Sequence, residues 1–242
     1  MDLLIDIGNT NLKWTVGESG SMDVIRIARH HGGLPIDLHA AWEQLPPPEQ
    51  ILVSNVGGAE MARVVGRACR SYWDREPLFA TPEPNAYGVT IAYEKPERLG
   101  VDRWLALIAA HRACHGPVLV IDAGTAITYD LLLGDGSHLG GLIMAGIELM
   151  RAGLMAGTRI PRVEPEELAE PWAADTGTAI AVGSIQAPAA LAERLFGRLA
   201  DQAGRIPVCI LAGGDAERLI PALDLPVQHK PDLVLQGLAL LS

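Results

Sequence analysis

The sequence predicts an α/β fold built from two similar halves with a cleft between them. A buried strand, a polar turn and a returning strand are expected at LLIDIGNTNLKWTV (3–16), and the pattern recurs at VLVIDAGTAITYDLLL (118–133). Each half also contains an apolar segment that ends in Gly-Gly and an acidic residue, ILVSNVGGAE (51–60) and CILAGGDAE (209–217). We therefore predict two halves, residues 1–116 and 117–242, with two Asp-x-Gly turns that face each other across the cleft.

The elements of the first half follow from apolar spacing and from residues that stop helices. After the hairpin we expect a turn at 17–20 and a third strand at 22–27. A short helix at 37–44 should end before the prolines at 46–48, because proline cannot continue a helix. The remaining predictions are a strand at 51–56, a helix at 59–73 and an irregular, proline-containing segment at 81–99.

The second half repeats this order after a connecting helix. That helix is predicted at 101–114, and Gly116 and Pro117 should end it. The second hairpin is followed by a turn at 134–136 and a strand at 138–143. The remaining predictions are a helix at 147–155, a charged surface loop at 159–171, a helix capped by Asp175, a strand at 208–211 and a terminal helix at 231–241.

Composition argues against several classes of function. The chain has 242 residues, a net charge of −10 and a pI near 5.1, so no nucleic-acid partner is expected. The longest uncharged segment, 176–192, is rich in Gly, Ala, Ser and Gln, so no membrane association is predicted. The spacing of Cys69, Cys114 and Cys209 is not that of a zinc site or a disulfide framework. We expect buried thiols and a cytoplasmic protein.

The first turn has the residue types that hold a phosphate group. Gly8 permits a tight turn and a close approach to the backbone, and successive N–H groups at such a turn form a concavity that binds anions. Lys13 adds a mobile positive charge, and the carboxylate of Asp6 suits Mg²⁺. A plain hairpin turn with a surface lysine is the alternative. The second copy of the pattern favours a functional site, although GxxxxGK[ST] and GxGxxG motifs are both absent.

Two further features each keep two interpretations. Asp102, at the start of the helix at 101–114, either gains about 0.3–1 kcal/mol from the helix dipole or accepts a hydroxyl proton during phosphoryl transfer. Gly213 and Gly214 either end a strand or offer bare backbone to a flat base. None of the seven histidines has a Ser or Cys partner at a recognisable spacing, so nucleophilic catalysis is not predicted.

Taken in order, these motifs resemble those of a known family. The segments DIGNTNLK (6–13), GVDR (100–103), DAGT (122–125), GG (140–141) and LAGG (211–214) are similar to the motifs of type III pantothenate kinases and of their Bvg accessory factor relatives. The resemblance covers 6–238. It implies two ribonuclease H-like halves of the actin/Hsc70/sugar kinase superfamily with ATP bound between them. It also implies ATP-dependent phosphorylation of pantothenate to 4′-phosphopantothenate, the first step of coenzyme A biosynthesis.

The resemblance also implies roles for individual residues. Asp102 would accept the proton, Asp122 would bind a monovalent cation such as K⁺ or NH₄⁺, and Asp6 would lie near Mg²⁺. Nucleotide contacts would come from Asp6, Ile7, Gly8, Asn9, Thr10, Asn11, Leu12, Lys13 and Thr125. Pantothenate would contact Tyr93, Gly100, Val101, Asp102, Arg103 and Thr176, and the protein would be a homodimer.

Two departures from the family pattern affect these assignments. Ala145 stands where the family's GGxIxPG motif has proline, and Asp175 precedes Thr176 where an asparagine is usual, which puts a carboxylate near an anionic substrate. Two alternative functions stay open at this point. One is a regulatory or binding protein, like the Bvg accessory factors, that keeps the nucleotide cleft, and the other is a kinase or phosphatase of the same superfamily with another substrate.

Overall fold

The computed structural model describes residues 1–17, 22–31, 33–160 and 171–242. The turn predicted at 17–20 and the loop predicted at 159–171 therefore fall largely outside the described residues. The chain divides into two compact units. Unit 1 comprises Met1–Tyr87, Tyr93–Ala109 and Asp232–Ser242, and unit 2 comprises Gly88–Ala92 and Ala110–Pro231.

Unit 1 is built on a five-stranded sheet. Its strands are β1 (Asp2–Ile7), β2 (Asn11–Gly17), β3 (Arg26–Arg29), β4 (Ile51–Asn55) and β5 (Leu78–Phe79). Their order across the sheet is β3-β2-β1-β4-β5. The β1–β2 and β2–β3 pairs are antiparallel, whereas β1, β4 and β5 run parallel. These pairings place Asp6 between Lys13 on the antiparallel strand β2 and Ser54 on the parallel strand β4.

The helices of unit 1 cover the apolar side chains of this sheet. They are α1 (Ile36–Glu43), α2 (Gly58–Trp73), the first part of α3 (Val101–Ala113) and the C-terminal helix α7 (Leu233–Ala239). Helix α2 buries a residue every fourth position, which is the spacing of one helical face: Met61, Val65, Cys69 and Trp73. The rings of Trp14 and Trp42 meet edge to face 6.2 Å apart, so aromatic packing joins α1 to the sheet.

Unit 2 repeats the arrangement. Its strands are β8 (Val118–Ala123), β9 (Ala126–Leu132), β10 (His138–Ala145), β11 (Val208–Ala212) and β12 (Val227–His229), in the order β10-β9-β8-β11-β12. The directions match those of unit 1, with two antiparallel pairs followed by parallel pairs. Its helices include α4 (Ile147–Gly157), the long α5 (Thr176–Ala203) and the short α6 (Ala216–Leu219).

The repeated strand order confirms the predicted duplication of a ribonuclease H-like fold. Most elements also lie within a few residues of their predicted bounds. The third strand was predicted too early, at 22–27, whereas β3 spans Arg26–Arg29. In the segment predicted as irregular, the structure has the short strands β6 (Asn85–Ala86) and β7 (Val89–Thr90) and a 3₁₀ turn at Pro96–Arg98. Within the described residues, no helix has the length and apolarity needed to cross a membrane.

The boundaries of the two units do not coincide with a single division of the chain at residue 116. Helix α7, at the end of the chain, packs on β1 and β4 and belongs to unit 1. The segment Gly88–Ala92 belongs to unit 2, where the N–H of Thr90 donates to the carbonyl of Gly136 at 2.9 Å. These assignments depend on contacts between residues far apart in sequence, which local patterns do not specify.

The close approach of α7 to α3 generates a prediction about stability. A Cβ on Gly237 would overlap the backbone carbonyl of Leu105, whereas a Cβ on Gly197, in the exposed part of α5, would meet nothing within 4 Å. Gly237→Ala should therefore lower the free energy of unfolding by about 2 kcal/mol or more. Gly197→Ala, the control, should leave it unchanged or raise it by up to about 1 kcal/mol. Urea denaturation measures both values, and equal effects would contradict the close packing of α7.

Candidate functional site

The predicted nucleotide residues lie on the β1–β2 hairpin of unit 1. Residues 8–10 form its turn, which we call the first turn, and the N–H of Gly8 closes it by donating to the carbonyl of Asn11 at 2.9 Å. Asn9 and Asn11 are exposed. Ile7 and Leu12 are fully buried in the core of unit 1, so only their backbones can reach a ligand. The turn thus exposes backbone groups and polar side chains, whereas the flanking side chains of Ile7 and Leu12 are buried.

The carboxylate of Asp6 is buried and fixed by a neighbouring strand. Its side chain is 9% exposed, and the hydroxyl of Ser54 donates to Oδ1 at 2.9 Å. Ser54 itself is fully buried at the position opposite Asp6 on β4. The hydrogen bond satisfies part of a carboxylate that would be costly to bury alone. Our sequence analysis missed Ser54, although a serine inside the apolar run ILVSN was the available signal.

Two further residues that the sequence analysis did not assign to the site support the first turn. His30 is 6% exposed, and its Nε2 lies 2.8 Å from the carbonyl oxygen of Gly8. The backbone N–H of His30 donates to the carbonyl of Thr10 at 3.0 Å. Gly57 follows β4, where a Cβ would lie 2.9 Å from Cγ2 of Ile7 and 3.1 Å from the carbonyl of Gly8. The turn is therefore held by β3 and β4 as well as by its own hairpin.

The predicted catalytic residue lies at the N-terminus of α3, also in unit 1. Oδ1 of Asp102 accepts a hydrogen bond from the N–H of Arg103 at 2.8 Å. The same oxygen lies 2.5 Å from the position that a Cβ on Gly100 would take, so a larger residue at 100 would displace this carboxylate. Val101 is buried, which leaves its backbone as the part that can meet a substrate. The segment 100–103 therefore holds the Asp102 carboxylate in one orientation.

The structure brings Tyr93 and Arg103, two of the predicted pantothenate contacts, into contact with each other. The guanidinium of Arg103 donates to the hydroxyl of Tyr93 at 3.2 Å and lies 5.9 Å from the centre of its ring. Arg103 is 6% exposed, so its charge is largely shielded from solvent. A buried guanidinium attracts a carboxylate or phosphate group strongly. Tyr93, Gly100, Asp102 and Arg103 thus form one polar group within unit 1.

The second turn, at 124–125 in unit 2, repeats the first with different neighbours. Asp122 is half-buried and lies opposite Ala212 on β11, where unit 1 has Ser54 opposite Asp6. Gly146 packs against this turn, since its N–H donates to the carbonyl of Thr125 at 3.0 Å and a Cβ would overlap that residue. Thr125 is exposed. Both acidic turns join a pair of antiparallel strands, but the loop in unit 2 is one residue shorter, since Ala123 pairs with Ile127 whereas Ile7 pairs with Leu12, and the groups around the two carboxylates also differ.

Thr176 lies elsewhere in unit 2, on the wall of a cavity of about 800 Å³. The cavity is lined mainly by α4, α5 and the residues before α5, among them Met150, Arg151, Leu154, Ile180 and Ser184. Arg151 is 5% exposed and donates to the hydroxyl of Ser184 at 2.8 Å and to the carbonyl of Ala181 at 3.3 Å. The sequence analysis did not single out this arginine. The cavity therefore combines apolar walls with one buried cation.

Asp175 caps α5 as predicted. Its Oδ1 accepts from the N–H of Thr178 at 2.9 Å. Hydrogen bonds from the side chain and the backbone N–H of Thr178 hold the pKa of Asp175 below its usual range. The carboxylate therefore stays ionised beside Thr176, which makes an anionic ligand less favourable there than a neutral asparagine at 175 would.

Comparison with known proteins identifies the family. The sequence model of type III pantothenate kinase matches residues 2–198. A type III pantothenate kinase from Nitrosococcus oceani is 36% identical over 246 aligned residues, which cover 99% of this chain and 92% of the relative. The chain belongs to the type III pantothenate kinase family. The resemblance carried by the ordered motifs is thus confirmed over nearly the whole chain.

Solved structures agree on the fold. A Campylobacter jejuni protein assigned to the Baf family of transcriptional activators has a TM-score of 0.59 and 21% identity, and the match covers 97% of this chain and 94% of that one. The activator of 2-hydroxyisocaproyl-CoA dehydratase from Clostridium difficile, solved with bound ADPNP, has a TM-score of 0.50, 12% identity and coverage of 99% and 93%. At these identities the likeness concerns the fold alone. It agrees with the predicted actin/Hsc70/sugar kinase class.

The thiols of this family member are not poised for nucleophilic catalysis. Burial raises the pKa of Cys69 and of Cys209 to about 12, and it also raises the pKa of Cys114. All three cysteines are free and buried. Within the described ranges, no group of three or more His, Cys, Asp or Glu side chains is arranged to hold a metal ion.

Proposed function

We propose that this protein transfers the γ-phosphoryl group of ATP to the primary hydroxyl of pantothenate, which gives 4′-phosphopantothenate for coenzyme A synthesis. The observation that carries the proposal is the match to type III pantothenate kinases over nearly the full chain. The acidic hairpin and the polar group around Asp102 agree with it, because phosphoryl transfer needs a phosphate-binding turn and an oriented acceptor. Formation of ADP that depends on pantothenate tests the proposal, and turnover that is indifferent to pantothenate would contradict it.

In this proposal the first turn binds the triphosphate. Asn9 is exposed at the tip of the turn, and the carbonyls of Gly8 and Thr10 accept hydrogen bonds from His30. Lys13 supplies a positive charge from β2. Thr125 on the second turn would make a further nucleotide contact. Support for these contacts comes from the residue types and from the exposure of both turns.

Asp102 is proposed to accept the hydroxyl proton of pantothenate. The transition state of phosphoryl transfer is loose, so orientation of the hydroxyl matters more than the strength of the base. The hydrogen bond from the N–H of Arg103 and the space beside Gly100 support a fixed carboxylate. The buried guanidinium of Arg103 and the hydroxyl of Tyr93 would bind the polar groups of pantothenate. Thr176 would contact the same substrate from its cavity.

Metal ions enter the proposal at the two aspartates. Mg²⁺ bound with ATP would neutralise charge on the phosphates. It usually keeps several waters and takes only one or two protein carboxylates, which suits the single carboxylate of Asp6. Asp122, half-buried opposite Ala212 on β11, would hold the monovalent cation, K⁺ or NH₄⁺, that the family resemblance implies. Loss of turnover on addition of EDTA would support the Mg²⁺ assignment.

A regulatory protein of the Bvg accessory factor type is the alternative function. The name of the Campylobacter jejuni structure is consistent with it, although that likeness concerns the fold alone. The net charge of −10 argues against direct binding to DNA. We also propose a cytoplasmic location, because all three cysteines are free, and cell fractionation would test it.

The proposed roles of Asp102 and Lys13 predict effects on different kinetic constants, kcat for Asp102 and the KM for ATP for Lys13. Asp102→Asn should lower kcat by about 100-fold or more with little change in the KM for ATP, because the proton acceptor is lost. Lys13→Ala should mainly raise the KM for ATP, because it removes a charge from the phosphate site. Matched controls are Asp37→Asn, in the first turn of α1, and Arg67→Ala, on the exposed face of α2. Small, equal effects of Asp102→Asn and Lys13→Ala would contradict both roles.

The assignment of Asp122 predicts dependence on a monovalent cation. Turnover should be several-fold faster in K⁺ or NH₄⁺ than in Na⁺ at the same ionic strength, because the proposal assigns Asp122 to one of the two larger ions. Asp122→Asn should abolish the difference between the buffers. The assay compares initial rates with saturating ATP and pantothenate. Equal rates of the unmodified protein in K⁺ and Na⁺ would remove the cation from the proposal.

The exposed apolar side chains of unit 2 support a homodimer. Leu142 and Ile143 on β10 are 41% and 63% exposed, and Leu149 and Leu154 on α4 are 50% and 42% exposed. Exposed apolar side chains on an edge strand and on the helix that follows it are compatible with a protein interface. Sedimentation equilibrium should give twice the chain mass of 25.8 kDa, and Ile143→Asp should shift the equilibrium toward the monomer. A monomer at micromolar concentration would contradict the proposal.

A further inference from the structure

His30 is buried behind the first turn, and its hydrogen bonds fix its chemical form. The Gly8 carbonyl can only accept a hydrogen bond, so Nε2 of His30, 2.8 Å away, must carry a proton. In the neutral ring Nδ1 is then a bare acceptor. This atom is buried and has no hydrogen-bond partner within the part of the chain that the structure describes. An apolar side chain would fill the space without leaving a nitrogen unpaired, so packing alone does not account for a histidine here.

The two hydrogen bonds of His30 set the direction of two peptide groups in the turn. The side chain holds the carbonyl of Gly8, and the backbone N–H holds the carbonyl of Thr10 at 3.0 Å. In a trans peptide the carbonyl and the following N–H point in opposite directions. The N–H groups of Asn9 and Asn11 are therefore directed away from His30, and both of these residues are exposed.

We propose that His30 is a positioning residue that turns the carbonyls of the first turn away from the bound triphosphate and so aims the turn amides at it. The proposal rests on the proposed function, because it assumes that this turn binds ATP. A carbonyl oxygen that rotated toward a phosphate would repel it, whereas an amide donates to it. The Nε2–H donor therefore acts on ATP through the backbone of Gly8 without touching the nucleotide.

Substitutions of His30 that keep or remove the donor test the proposal. His30→Ala removes it, His30→Asn shortens its reach, and His30→Gln keeps an N–H near the position of Nε2. We expect His30→Ala and His30→Asn to raise the KM for ATP by about 3- to 10-fold, which is the range for loss of one hydrogen bond. The KM for pantothenate should not change, and His30→Gln should recover most of the affinity for ATP. His39→Ala is the matched control, since His39 lies in α1 of the same unit and contacts Tyr72.

Calorimetric titration with a non-hydrolysable ATP analogue separates this inference from the proposed function. Analogue binding by the unmodified protein that weakens in His30→Ala and recovers in His30→Gln supports the inference, whether or not pantothenate is phosphorylated. Unchanged analogue affinity in His30→Ala, or equal losses in His30→Gln and His30→Asn, would overturn it. If His30→Ala does not fold, the comparison of the Gln and Asn variants decides. If the unmodified protein binds no analogue, the proposed function and this inference both fail.

Discussion

The buried carboxylate of Asp6 is the constraint on which the hairpin of unit 1 depends. Five of the six residues of β1 are buried, and a carboxylate in such a strand must find a partner. Ser54 provides it only in one register of β1 and β4, because a shift by one residue would turn its side chain to the other face of the sheet. The register in turn brings Gly57 beneath the first turn, where no larger residue fits. One polar contact thus helps to align three elements of the site.

The second hairpin has the same strand pairing as the first but different residues around its carboxylate. Ala212 replaces the serine opposite the acidic residue, and Asp122 is half-buried rather than buried. Gly57 also has an equivalent in unit 2. Gly213 comes directly after β11, as Gly57 comes shortly after β4, and a Cβ on Gly213 would overlap the backbone of Ala123. The Gly-Gly strand ends therefore have a steric reason in both units. The two units thus share their strand pairing, while the length of the acidic turn and the residues around its carboxylate differ.

A buried polar pair in unit 2 shows how distant segments are joined. Nε2 of His138 lies 3.0 Å from Oδ1 of Asp130, both side chains are almost fully buried, and the N–H of Ala92 donates to Nδ1 at 3.4 Å. This pairing ties the segment before Tyr93 to the sheet of unit 2. Neither residue was singled out in the sequence, because a single Asp and a single His eight residues apart give no signal until β9 and β10 are paired.

Local patterns determined the repeated order of elements along the chain, the two acidic turns, the helix that begins at Val101 and the family, because each is encoded within a short segment and then repeated or matched in order. Tertiary structure alone decided which residues support those segments. Ser54, His30 and Gly57 reach the first turn through strand pairing, and Arg151 reaches its cavity through the packing of α4 and α5. The physical reason is that hydrogen-bond partners and close contacts depend on register and packing between distant segments, which apolar spacing does not encode.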